Sequence, residues 1–194
     1  GDGTLSLDRF RYYMRQDYVY LIEFCRAISL AVAKAEGVED MRWFARLLYE
    51  TLNTEMSLHV SFCEDFGITF DELKSTVPSP TTVAYSNHLV KTGYSGGEGE
   101  VASALLPCLW GYSEIGKMLE DRGVPAGQPL YARWIEMYSS PEVAELAAGL
   151  RSVIDGVALR SGRRERKTME ETFMVSSRYE YIFWDASYRM EEWP

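Results

Sequence analysis

The stretch LDRFRYYMRQDYVYLIEFCRAISLAVAKA, residues 7–35, decides the fold. Phe10, Tyr13, Met14, Asp17, Leu21, Phe24 and Ile28 recur in it at steps of three and four, the spacing of one face of an α-helix. Gly37 is its expected stop. The same period returns over about 39–66, with Trp43, Leu47, Leu48, Leu52, Met56 and Phe62, and Gly67 closes it. Thr69 and Glu72 form a T-x-x-E capping box for a short helix that must stop before Pro78. Ser79 and Pro80 read as N-cap and first residue of the next helix, which carries Tyr85, His88 and Leu89. The glycine-rich residues 93–99 read as a loop.

Beyond that loop a helix is expected over about 100–121, with Pro107 inside it. A proline there removes one hydrogen bond, frees the carbonyl of Ser103 and predicts a bend beside Cys108. Residues 123–129 read as a turn, followed by a short aromatic helix with Tyr131, Trp134 and Tyr138. Ser140 and Pro141 start another helix that Gly162 ends, and the last runs over about 163–191. Hairpin dipeptides and sustained alternation are missing. The reading is an all-α multi-helix bundle, one domain over 1–194, whose sites are built from side chains of facing helices.

Composition narrows the function. Twenty Lys and Arg against 29 Asp and Glu give a net charge of −9, which repels phosphate backbones and anionic membranes. No nucleic-acid partner is expected. The longest uncharged apolar run, Val101–Ser113, falls short of the roughly 20 residues a span needs, so no membrane segment is expected either. No basic-then-apolar signal follows Gly1. Cys25, Cys63 and Cys108 show no C-x-x-C spacing and are odd in number, which points to a reducing, cytoplasmic setting. With only His59 and His88 available, no metal centre is expected. Thirteen tyrosines and five tryptophans suit a large core or a pocket for a flat ligand.

Four positions could carry chemistry. Asp17 shares a helix face with Tyr13, Tyr20 and Phe24; it is either a partly exposed carboxylate bonded by a tyrosine or a ligand-binding one. Cys108, just after the bend-forming proline with Tyr112 one turn on, is either a small buried hydrophobe or a nucleophile. Glu180 precedes Phe183 and Trp184 on one face; it is either an exposed partner of Arg178 or a carboxyl whose pKa is raised for acid–base work. Glu55 and His59 are one turn apart and read as a hydrogen-bonded core pair, because a di-metal site needs two E-x-x-H pairs. The basic run from Arg160 to Lys167 reads as a solvated turn, with an anion or subunit contact as its alternative.

An ordered series of segments carries a resemblance. It starts with Gly1-Asp-Gly-Thr-Leu5, Asp8-Arg-Phe-Arg-Tyr-Tyr13, Gln16-Asp-Tyr-Val-Tyr-Leu21 and Glu55-Met-Ser-Leu-His59. It continues through Ser79-Pro-Thr-Thr-Val-Ala-Tyr85, Leu105-Leu-Pro-Cys-Leu-Trp-Gly-Tyr112 and Tyr131-Ala-Arg-Trp-Ile135 to Ser177-Arg-Tyr-Glu-Tyr-Ile-Phe-Trp-Asp-Ala-Ser-Tyr188. Over essentially its whole length the chain resembles the TenA family, the thiaminase II or aminopyrimidine aminohydrolase enzymes. The resemblance implies a fold like that of haem oxygenase but without haem or other cofactor, assembled as a homotetramer. It implies Cys108 as nucleophile, Glu180 as acid–base, and a pyrimidine pocket lined by Asp17, Tyr20, Tyr85, Tyr112, Tyr138 and Phe183. The implied substrate is a small aminopyrimidine or thiamin. The family normally carries a further helix ahead of the Gly1–Leu5 segment, so a bundle lacking that helix is expected. Two other readings stay open: an idle pyrimidine-binding or regulatory protein, and a haem or tetrapyrrole enzyme using His88 or His59.

Overall fold

The computed structural model describes residues 2–194, so Gly1 of the first matching segment lies outside it. Every regular element among the described residues is helical: α1 Leu7–Lys34, α2 Val38–Glu50, a π turn Thr51–Glu55, α3 Met56–Asp65 and α4 Phe70–Lys74. After these come α5 Pro80–Ser95, α6 Glu98–Arg122, α7 Pro129–Ser139, α8 Pro141–Arg160 and α9 Arg163–Arg189. Two long helices organise the rest. α1 packs on α2, α3, α5, α6 and α9, while α6 packs on α7, α8 and α9. The buried apolar residues form one continuous cluster between them, including Met14, Leu21, Ile28, Phe62, Leu89, Leu105 and Leu150. None of the described helices is long and apolar enough to cross a membrane.

The expected caps are present. Thr69 accepts from the Glu72 backbone, and Glu72 Oε2 reaches back to the Thr69 backbone at 2.8 Å. Ser79 and Ser140 cap α5 and α8 ahead of Pro80 and Pro141. Gly67, at φ +72°, turns the chain out of α3, where a side chain would be strained. α6 stays helical through Pro107.

Two expectations need correction. The glycine-rich loop shrinks to Gly96 and Gly97, because Gly93 belongs to α5 and Gly99 to α6. Both are packing glycines: a Cβ on Gly93 would sit 2.6 Å from Leu30 of α1, and one on Gly99 2.8 Å from Met169 of α9. The helix expected over 39–66 is also interrupted, by the π turn. Leu47, Thr51, Glu55 and His59 follow at steps of four, and on an α-helix each such step drifts by about 40°. The wider π turn absorbs that drift and keeps Glu55 and His59 on the inward side, with His59 wholly buried.

The basic run also resolves. Arg160 bridges Glu36, Asp40 and the buried Glu98, tying the end of α8 to the starts of α2 and α6. The side chains of Arg163, Arg164, Arg166 and Lys167 are solvated.

Gly116 sets the seat of α7. A Cβ there would run into the Tyr138 backbone and lie 2.6 Å from the Ser139 nitrogen. Gly116→Ala should therefore destabilise the fold by about 1–3 kcal/mol or more. Gly111→Ala, on the same helix with open space around it, should be neutral or stabilising by up to about 1 kcal/mol. Urea unfolding of both variants checks this, and equal effects would contradict the close approach of α6 to α7.

Candidate active site

The eight residues singled out in the sequence come from five helices and meet around one thiol. Asp17 and Tyr20 project from α1, Tyr85 from α5, Cys108 and Tyr112 from α6, Tyr138 from α7, and Glu180 and Phe183 from α9. α5 is held in register by Gln16, whose side chain donates to Val77 O at 3.1 Å and accepts from Ser79 N and Thr82 Oγ1 at 2.9 and 2.8 Å. That clamp aims Tyr85 inward, where its hydroxyl donates to Glu180 Oε1 at 2.5 Å. Tyr179 stacks on the Tyr85 ring at 5.3 Å and 9°. Arg178 is not the partner of Glu180; the α9 turn places it on the exposed side.

Asp17 is 2% exposed, so the expectation of a partly exposed carboxylate gives way to a buried one. Its Oδ2 accepts from Tyr13 at 3.1 Å and lies 2.7 Å from His59 Nε2. His59 Nδ1 lies 2.9 Å from the Glu55 backbone carbonyl. A carbonyl cannot donate, so Nδ1 carries a proton, and a proton on Nε2 as well makes the ring an imidazolium facing a carboxylate. Burial alone would lower the His59 pKa, but the bond to Asp17 and the charges of Asp17 and Glu55 raise it. The core pair is therefore His59 with Asp17. The Glu55 carboxylate turns instead to Tyr138, accepting its hydroxyl at 2.8 Å.

The thiol sits in a hostile field. Burial pushes the Cys108 pKa well above its ordinary value, and the charges of Glu180, Glu55 and Asp17 add to the rise. Only the neighbouring Tyr20 hydroxyl works the other way. That hydroxyl is buried without a hydrogen-bond partner, an open donor inside the site. Cys25 and Cys63 are pushed up by burial too, to about 12 and about 11. What separates Cys108 from them is company, not a lowered pKa. Of the three, it is Cys108 that Glu180 engages, a carboxyl raised to about 8 by burial against the pull of the Tyr85 bond. Glu55 is raised to about 6, again by burial, with His59 opposing.

A cavity of about 420 Å³ leads to this cluster, lined by Cys108, Tyr112, Tyr138 and Glu55 among others. Asp17, Tyr20, Tyr85, Glu180 and Phe183 lie outside its lining, with Tyr20 against Phe183 at 5.6 Å and against Tyr85 at 4.9 Å. A separate groove of about 480 Å³ lies beyond the wall of Tyr13, Trp134 and Trp184 and holds none of the eight residues. Sequence reasoning placed Glu55 and His59 in the core but paired them with each other; that His59 serves Asp17 and Glu55 accepts from Tyr138 is what it missed. His59 has both ring nitrogens engaged and so does not stand open as an axial ligand, while His88 Nε2 is bonded to Ser176 at 2.9 Å.

This all-helical scaffold, with a cysteine and three carboxylates converging in an aromatic cage, has known counterparts. Residues 1–190 match the TENA/THI-4/PQQC family, and the chain belongs to it. It is 37% identical to the aminopyrimidine aminohydrolase of Halalkalibacterium halodurans over its full length and 86% of that protein. Identity is also 37% to the aminopyrimidine aminohydrolase of Bacillus subtilis, over 81% of that protein. Among solved structures, the TenA homologue of P. horikoshii OT3 superposes with a TM-score of 0.87 at 30% identity, over 97% of this chain and 86% of that one.

The buried acid has a measurable signature. Glu180 keeps its proton in the folded protein far above its ordinary value of 4.5, whereas the unfolded chain releases it there. Stability from this group therefore falls as pH rises from about 4.5 and levels off above about 8. Glu180→Gln loses the titration but still offers Tyr85 an acceptor. Its stability relative to the wild type should grow between pH 5 and 8 and then stay constant, as urea unfolding across that range would report.

Proposed function

We propose that the protein is an aminopyrimidine aminohydrolase of the thiaminase II type, working through a covalent adduct on Cys108. The observation that carries the reading is the meeting of the Cys108 thiol with the Glu180 carboxyl, across from the Asp17–His59 pair. The relatives named as aminopyrimidine aminohydrolases support the substrate class. A merely pyrimidine-binding or regulatory protein would have no use for a thiol beside a carboxyl poised near neutral pH. The substrate is 4-amino-5-aminomethyl-2-methylpyrimidine, with thiamin as a further candidate, and the product is the 5-hydroxymethyl compound that feeds thiamin synthesis.

Each group has a task that its surroundings suit. Asp17, with two donors on Oδ2, presents its carboxylate to the exocyclic amino group and favours a proton on the adjacent ring nitrogen, which makes the ring a better electrophile. Tyr20, Tyr112, Tyr138 and Phe183 hold the ring, and the open Tyr20 hydroxyl finds a partner there. Because Cys108 rests as a thiol, its proton must leave first, and the ionised fraction of Glu180 takes it. The thiolate adds to the unsubstituted ring carbon while Glu180 passes the proton to the ring nitrogen beside it, and the arm, already an ammonium, departs as ammonia. Water then adds to the exocyclic methylene, giving a proton to Glu180, and expulsion of the thiolate restores the aromatic ring. No metal or organic cofactor enters this sequence. We further read residues 1–194 as one catalytic domain acting in the cytoplasm as a homotetramer; three free thiols suit such a reducing setting.

Three cysteine variants test the nucleophile. Cys108→Ser should lose nearly all turnover, while Cys25→Ser and Cys63→Ser keep most of it; equal activity in all three would overturn the assignment. The carboxylates should separate binding from chemistry. Asp17→Asn removes a charge-assisted bond worth about 1.5–3 kcal/mol, so affinity for the product pyrimidine should fall roughly 10- to 100-fold. Glu180→Gln should cut the rate about 10²- to 10⁴-fold with little change in that affinity. Calorimetric titration with the product, beside turnover measurements, distinguishes the two roles.

A further inference from the structure

Glu55 is left over by this mechanism, and its position is a constructed one. It ends the π turn, the one departure from α geometry in the described helices, and it lines the same cavity wall as Cys108 and Tyr112. Its charge is felt at the Cys108 thiol. Tyr138 engages Oε1 alone. The other two carboxylates are committed elsewhere, Asp17 to His59 and Tyr13, and Glu180 to Tyr85 and the thiol. Raised only to about 6, Glu55 is mostly ionised at neutral pH, unlike Glu180.

The rest of the cavity has the same sign. Glu50, Glu136 and Glu142 line it with Glu55, and its one cation, Arg46, is paired with Glu145 at 2.8 Å. For a ring with its electrophilic carbon at Cys108, the cavity that Cys108 shares with Tyr138 and Glu55 is the space that receives the neighbouring 5-methylene arm. The arm of an aminopyrimidine with an aliphatic amine is an ammonium ion at neutral pH. That of the product alcohol is neutral.

We propose that Glu55, held by Tyr138 on the cavity wall, binds the positively charged leaving arm of the substrate and makes the site prefer cationic arms over the neutral product. The proposal rests on the pyrimidine reading above and adds the element that selects the arm. It gives the π turn a purpose: a carboxylate facing the arm, with its hydroxyl partner supplied from α7. It also gives the product a reason to leave, since replacing an ammonium by a hydroxyl breaks a charge-assisted bond.

Direct binding to a turnover-blocked protein tests it. Kd values for 4-amino-5-aminomethyl-2-methylpyrimidine and its 5-hydroxymethyl analogue are measured by calorimetry on Cys108→Ser and on Cys108→Ser/Glu55→Gln. Glutamine keeps an acceptor for Tyr138 and loses only the charge. The expected result is a loss of roughly 10- to 100-fold for the amine and less than about threefold for the alcohol. Equal losses for both ligands would make Glu55 a mere prop for Tyr138, and no loss for the amine would remove it from the arm; either overturns the proposal. Should the double variant fail to fold, the ratio in Cys108→Ser alone decides: tighter binding of the amine supports the proposal and tighter binding of the alcohol overturns it. If Cys108→Ser binds neither pyrimidine, the functional reading itself falls and takes this inference with it.

Discussion

A carboxylate buried in the middle of the longest helix must be given donors, and much of this structure follows from how Asp17 obtains them. One comes from Tyr13, a turn earlier on the same helix, and the other from His59, 42 residues away on α3. The histidine can serve only if its other nitrogen is satisfied as well, and the Glu55 carbonyl does that. An unpartnered charge in this cage would cost several kcal/mol, so the pairing constrains α1, α3 and the π turn together. Trp134 extends the network by donating to the Tyr13 hydroxyl at 3.2 Å, bringing in α7.

The same low-dielectric cage sets the terms for the chemistry proposed above. Burial raises Glu55, Glu180 and the thiol itself, so Cys108 cannot wait as a thiolate as exposed reactive cysteines do. The site compensates by placing the thiol against a carboxyl whose own pKa burial has brought close to neutrality. A carboxyl raised to about 8 is a stronger base than an ordinary one of 4.5, so the proton of the raised thiol passes to it at less cost. The three carboxylates around one sulfur differ in their partners: a histidine and a phenol for Asp17, and one phenol each for Glu180 and Glu55.

The aromatic load read from composition turns out to be structural and chemical at once. Tyr13, Trp134 and Trp184 form the wall between the reactive cluster and the outer groove, with Tyr13 and Trp184 stacked at 5.5 Å and 12°. Tyr85 and Tyr138 spend their hydroxyls on glutamates, so these rings set carboxylate positions as well as lining space for a flat ligand. The buried hydroxyl of Tyr20, by contrast, has no hydrogen-bond partner.

The sequence by itself determined the helices, their caps and the candidates Asp17, Cys108 and Glu180, because these signals are short-ranged. A T-x-x-E box, a Ser-Pro start or a three-four apolar step is complete within a few residues, whatever packs against it. It misjudged residues 93–99 because Gly93 is chosen by Leu30, 63 residues earlier, and not by its neighbours. Only the tertiary structure decided that His59 serves Asp17, that Glu55 turns to Tyr138, and that Glu180 faces Cys108 and not Arg178. Those pairings join helices far apart in the chain, and the energies that select them exist only once water has been removed from between the partners.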